Sequence, residues 1–180
     1  IGTRAHALDE EGTVEMFIRD RLRAGGHYTE VLGHGLFGMG GIRVDAAHVG
    51  TSAGDGHNRA NGLVNYLKIR MHDELEMLGA IPPELYLRFH YHDFAIGSWT
   101  KIIEGEPITS KILLCPPLCS MNGYARGATR SNPLVHIGMV LIRVTGADIH
   151  IIPHVKVYDV REHVSDSGGV RFYRWRGRGN

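Results

Sequence analysis

Residues 84–96 read Glu84-Leu85-Tyr86-Leu87-Arg88-Phe89-His90-Tyr91-His92-Asp93-Phe94-Ala95-Ile96. Leu85, Leu87, Phe89 and Tyr91 alternate with Tyr86, Arg88, His90 and His92, a period of two. Successive side chains of a strand leave opposite faces, so the spacing predicts one long strand with one face buried and the other half exposed. Downstream, Lys111–Cys115 reads as a short strand stopped by Pro116 and Pro117. Leu134–Val144 is apolar on both faces, which predicts a central place in a sheet. Ile149–Val160 alternates again, with Ile149, Ile151, Val155 and Val157 on one side, and Thr145-Gly146-Ala147-Asp148 joins the two as a hairpin-like turn.

Upstream the periodicity is helical. Thr13 offers an N-cap oxygen to a short amphipathic helix carrying Val14, Phe17, Ile18 and Leu22, which Gly25-Gly26 ends. A glycine-rich stretch follows, with strand-like pieces at Tyr28–Leu32 and Ile42–Val44 and a polar surface loop over Thr51–Gly62. Leu63, Leu67, Met71, Leu75 and Leu78 then place one apolar face on a second helix, terminated by Gly79 and Pro82-Pro83.

The 180 residues suit one domain able to bury a core. With a formal net charge of +1 the chain is no general polyanion binder, and any nucleic-acid contact must come from a local patch. The 24 glycines favour a turn-rich, all-β fold over a helix bundle. No apolar run is long enough to span a bilayer. The start at Ile1, without a basic-then-apolar leader, points to a processed or trimmed product. Two cysteines, Cys115 and Cys119, are too few for a disulfide framework and read as free thiols of a reducing compartment.

The expected architecture is therefore mainly all-β: an antiparallel β-sandwich of the jelly-roll kind, with one or two short helices and an extended N-terminal arm. Residues 1–26 form the arm with its helix, 27–169 the jelly-roll-like domain, and 170–180 a basic aromatic tail.

Three motifs bear on chemistry. Gly33-His34-Gly35-Leu36-Phe37-Gly38 matches the dinucleotide pattern G-x-G-x-x-G, but the residues after it make poor helix, so it reads as a flexible loop. His72-Asp73-Glu74 with Cys115 and Cys119 is similar to a zinc deaminase signature, yet Cys-Pro-Pro-Leu-Cys puts prolines inside the ligand turn, and the match reads as chance. His90-Tyr91-His92 on a strand would put both imidazoles on one face, within reach of one ion. With His154 as third ligand this gives the alternative reading, a metal-dependent cupin-like enzyme. Alternation already accounts for the row, so the expectation is no metal at His90 and His92, no cofactor and no catalytic residue.

The order of elements resembles the largest coat protein of picornavirus-like capsids. Thr3-Arg4, Asp9-Glu10 and Val14-Glu15-Met16-Phe17-Ile18-Arg19 look like that family's N-terminal arm pattern. Leu75–Gly79 before Tyr86-Leu87-Arg88-Phe89-His90 is similar to its helix leading into an Arg-Phe strand. Ile112-Leu113-Leu114-Cys115-Pro116-Pro117 resembles a strand closed by two prolines. Gly138-Met139-Val140-Leu141-Ile142-Arg143-Val144, Val155-Lys156-Val157-Tyr158 and Val170-Arg171-Phe172-Tyr173-Arg174 look like its last barrel strands and tail. The resemblance implies a structural, non-enzymatic subunit of a small icosahedral RNA virus, assembled in the host cytoplasm and found in the virion. It implies other coat subunits as partners over residues 1–26 and 170–180, and a surface presented to a host receptor. Genomic RNA would be touched weakly through the arm or through Arg171, Arg174, Arg176 and Arg178 with their interleaved aromatics.

Overall fold

The computed structural model describes residues 14–54, 58–118, 134–159, 163–164 and 170–171. Residues 1–13, Cys119, the stretch 120–133 and the tail from 172 onward, on which parts of the arm, deaminase and coat-protein readings rest, lie outside the described residues.

Helix α1 (Val14–Ala24) stands where its periodicity puts it and closes through amide bonds from Gly25, Gly26 and His27. Phe17, Ile18 and Leu22 remain exposed. The glycine-rich segment after it is not a loop: β1 (His34–Met39) and β2 (Ile42–Ala47) form an antiparallel hairpin. Gly40 (φ 60°) and Gly41 (φ 91°) supply the two left-handed residues that a tight hairpin turn requires. The G-x-G-x-x-G match is thus mostly strand β1 and offers no phosphate-binding turn before a helix. Tyr28, expected in a strand, is 91% exposed coil.

Helix α2 (Arg59–His72) begins inside the stretch read as a polar loop and buries Leu63, Leu67 and Met71. It continues as a π-helical turn over Asp73–Met77, closed by Leu78 N donating to Asp73 O. The wider turn shifts the helical phase. Leu78, expected on the buried face, is consequently exposed.

The chain then enters β3 (Leu85–Arg88), β4 (Ala95–Ile103) and β5 (Glu106–Leu114). The five strands make one sheet in the order β1-β2-β3-β5-β4. β2 pairs parallel with β3, and β3 parallel with β5, while the outer pairs are antiparallel. Strands β6 (Leu134–Thr145) and β7 (Asp148–Asp159) form a separate antiparallel ribbon, turned at the predicted residues. Short β8 (His163–Val164) pairs with β9 (Val170–Arg171).

Two apolar clusters fix the layers. Under α2, Leu63, Leu67 and Met71 pack on Tyr86, Ala95, Ile112 and Leu114. On the other face, Ile42, Val44 and Leu85 meet Ile149, with Ile142, Val144 and Ile151 of the ribbon around them. The sheet is covered by a helix on one side and a β-ribbon on the other.

This corrects the jelly-roll expectation. A jelly roll is built from antiparallel strands in two sheets, whereas the centre here is a parallel trio whose β2-to-β3 crossover is α2. The long strand over 84–96 also fails. Cys115 N donating to Arg88 O is the last bond to β3, and β2 and β5 both end at that level, so nothing remains to pair with Phe89 onward. Leu134–Val144 is not central either: among the described residues β6 pairs only with β7, leaving Met139 and Leu141 exposed.

Candidate functional site

The parallel strands all point their carboxyl ends at one edge of the sheet, the place where open α/β sheets hold ligands. β2 delivers His48 there, β3 delivers His90, Tyr91, His92 and Asp93, and β5 delivers Cys115. Gly138 N donates to Pro117 O, which brings the start of β6, with His136, to the same edge.

His48 Nε2 lies 3.2 Å from His90 Nδ1, and the two rings meet edge to face at 5.2 Å. His90 is the centre of a γ-turn, closed by Tyr91 N donating to Phe89 O, and its φ is +79°. That sign of γ-turn is rare and strained. His92 is left-handed too, at φ +52°. Left-handed backbone at non-glycine residues costs energy and gathers at functional positions. His92 Nδ1 is buried with no hydrogen-bond partner among the described residues. Burial, and then the neighbouring His90 and His48, push the His92 imidazole below its ordinary pKa and hold it neutral. Among the described residues no three His, Cys, Asp or Glu side chains already surround one point as metal ligands. The His48–His90 nitrogen pair does have a suitable separation, since two nitrogens about 2.0–2.1 Å from one tetrahedral ion stand about 3.3–3.4 Å apart.

Beneath this cluster lies a buried ionic base. Arg88 is fully buried and pairs through Nη1 with Asp45 Oδ1 at 2.5 Å. It also donates to Asp45 O, Leu87 O and the Tyr66 hydroxyl. Asp45 Oδ2 takes His34 Nε2 at 2.8 Å. Gly50, two residues past His48, lies over the Arg88 side chain so closely that an added Cβ would stand 2.4 Å from its Cδ. The β2 loop therefore sits directly on the Arg88 guanidinium arm. Cys115 completes the edge as a thiol raised by burial to about 12, hence a protonated one.

The sequence reading singled out His90 and His92 but placed them on a strand face; they stand in a strained loop. His154, the proposed third ligand, lies exposed midway along β7 opposite Met139; the imidazole beside His90 is that of His48. The sequence reading passed over His48, which follows the buried run Asp45-Ala46-Ala47 at the end of β2. His72 ends α2 at the edge where β3 begins, opposite Cys115, so these two members of the deaminase grouping are not brought together, and Cys119 lies outside the described residues. A cleft of about 460 Å³ lies elsewhere, between α1 and β1, lined by Ile18, Val31, Leu32 and Phe37 together with Arg19 and Glu30.

The fold and site define a mixed α/β domain with an imidazole cluster at the carboxyl edge of its parallel strands. No family model and no curated protein matches the chain. Among solved structures it is similar to wild-type Vps29 of Entamoeba histolytica complexed with zinc, with a TM-score of 0.39 and 13% identity over 83% of this chain and 63% of that one. A single mutant of the same protein gives 0.35 and 12%, over 83% and 64%. The chain spans a little under two thirds of their length, and scores this low carry no functional argument. Neither is a coat protein. With the parallel sheet in place of the barrel, the coat-subunit reading and its cupin-like alternative, both jelly rolls, are withdrawn. No described helix is long and apolar enough to cross a membrane.

Proposed function

We propose that this chain binds a divalent transition-metal ion, zinc in the first instance, through His48, His90 and His92, and that the ion activates water for hydrolytic chemistry. The observation that carries the reading is the 3.2 Å approach of His48 Nε2 to His90 Nδ1 beside a His92 whose buried Nδ1 lacks a partner. Two aromatic nitrogens at this distance share a proton or share an ion. The strained backbone at His90 and His92 is the kind of cost that a bound ligand offsets.

His92 completes the set by a rotation of its ring toward the pair. His48, His90 and His92 would hold the ion as neutral imidazoles, and the ion would supply a bound water of lowered pKa for hydrolysis. Arg88 and Asp45 fix the strand ends from which the ligands spring. They neutralise each other, as Arg59 does Asp93, so the site itself keeps no net anionic charge.

The test is a calorimetric titration of the metal-stripped chain with zinc chloride, alone and as His48→Ala, His90→Ala and His92→Ala. The expected result is one equivalent bound. Each variant should lose more than the roughly 10–100-fold that removing an outer-shell partner costs. Unchanged affinity in all three variants, or no binding to the parent chain, would overturn the proposal.

A further inference from the structure

Asp93 follows His92 directly, and its described hydrogen bonds and ion pairs converge on one oxygen. Oδ1 accepts from Phe94 N at 2.8 Å and from Arg59 at the start of α2. It also meets His136 Nδ1 at the start of β6, at 2.5 Å. The Asp93 and His136 side chains are only 13% and 15% exposed. A carboxylate oxygen accepts and does not donate, so the short contact calls for a proton on His136 Nδ1 facing Oδ1. The Arg59 guanidinium also lies 3.4 Å from that nitrogen, but it can only donate, and an Nδ1 carrying a proton has no lone pair to offer.

Three separate elements thus grip one carboxylate: the first turn of α2, the first residues of β6, and the loop's own backbone. The gripped residue adjoins the second of the two left-handed histidines, where the chain most needs an outside hold. Left-handed non-glycine residues persist only where surrounding contacts over-determine them.

We infer that Arg59, Asp93 and His136 form a positioning clamp that holds the His90–His92 loop in its metal-receiving shape, making the β6–β7 ribbon part of the site. This rests on the metal-binding reading above. His136 acts through Asp93 as a donor from Nδ1, and its Nε2 has no part in the role. An asparagine places its amide nitrogen close to where His Nδ1 stands, so it conserves that donor and nothing else of the ring.

The experiment is zinc titration of the full chain carrying His136→Leu, His136→Asn or Arg59→Met, with thermal unfolding of each metal-free variant alongside. The clamp predicts that His136→Leu and Arg59→Met weaken zinc binding by about 10–100-fold, the range for lost outer-shell partners. His136→Asn should restore most of it. Equal zinc affinity in His136→Leu and the parent would overturn the clamp while leaving the metal site standing. A His136→Asn variant as weak as His136→Leu would overturn the Nδ1-donor role. Absence of zinc binding by the parent chain would be a failure of the metal site itself, read separately from either. If His136→Leu proves unfolded, the comparison of Arg59→Met with Arg59→Lys decides: the clamp predicts partial recovery by Lys, and no difference between them contradicts it.

Discussion

The two edges of the parallel sheet are built on opposite principles. At the amino edge, charges meet in water. Arg43 reaches Glu84 and the carbonyls of Ile81 and Pro82, and Lys101 reaches Glu76 across the surface. Burial alone would raise the Glu84 carboxyl, but hydrogen bonds from the Arg43 amide, from its own amide and from the Arg43 guanidinium outweigh that and hold it below its usual range. Hydrogen bonding to Lys101 lowers Glu76 likewise. At the carboxyl edge the groups are imidazoles and a sunken ion pair, on backbone that bends the wrong way for their residue types. One edge is ordinary solvated trim. The other keeps polar groups out of water at a cost, which is the mark of a site retained for use.

The largest effect should come from unpairing the buried charge. Asp45→Ala leaves the fully buried Arg88 guanidinium without its carboxylate, and breaking such a pair costs about 3–5 kcal/mol. Urea unfolding is the measurement. Lys101→Met at the other edge should leave the midpoint where it was. Similar losses at both edges would erase the contrast.

Next comes Gly50→Ala. Its Cβ would meet Arg88 Cδ at 2.4 Å and Nε at 2.7 Å, and Arg88 is pinned by its carbonyl and hydroxyl partners. Overpacking of this kind costs about 1–3 kcal/mol. Gly33→Ala, whose Cβ would meet nothing within 4 Å, should be close to neutral.

These contacts also explain how much could be read in advance. Helix α1, the Leu63–Met71 face of α2, and the β6–β7 hairpin with its turn were legible from local pattern. The parallel trio was not. Strands buried on both faces usually read as unbroken apolar runs, but Arg88 made the stretch holding β3 read as half exposed, and the strand-like piece in β2 was read only as far as Val44, short of Asp45. The two residues form their ion pair only once the strands are parallel neighbours, with Asp45 opposite Tyr86, a pairing no local window contains. His90 and His92 stood out by composition, yet their positive φ values cannot be read from a chain that alternates smoothly through them. His48 is 42 residues from His90, joined to it only by the crossover through α2.

A smaller effect follows from pH. Burial first, and His90 and His48 after it, lower the His92 pKa in the folded chain. A histidine so shifted is neutral in both states above its unfolded value of about 6.5. Below that value the unfolded chain takes up the proton first, so stability declines as pH falls and the loss is complete once the folded value is passed. Melting temperature of the metal-free chain should therefore drop between pH 7.5 and 5, and His92→Gln should flatten part of the slope. A slope unchanged in His92→Gln would remove His92 from the account.

The smallest is chemical. With its pKa near 12, the Cys115 thiol stays protonated at pH 8 and should react slowly with a disulfide reagent. The Cys119→Ser chain isolates it. Urea should restore ordinary reactivity, and rapid labelling of the folded chain would place Cys115 outside the packed edge.

The central claim is that three imidazoles from the ends of β2 and β3 receive one metal ion. X-ray absorption at the zinc edge, on the zinc-loaded chain, tests it most directly. The account predicts imidazole nitrogens at about 2.0–2.1 Å from the ion, falling from three to two in His48→Ala. Sulfur at about 2.3 Å, or a first shell indifferent to His48, His90 and His92, would contradict it.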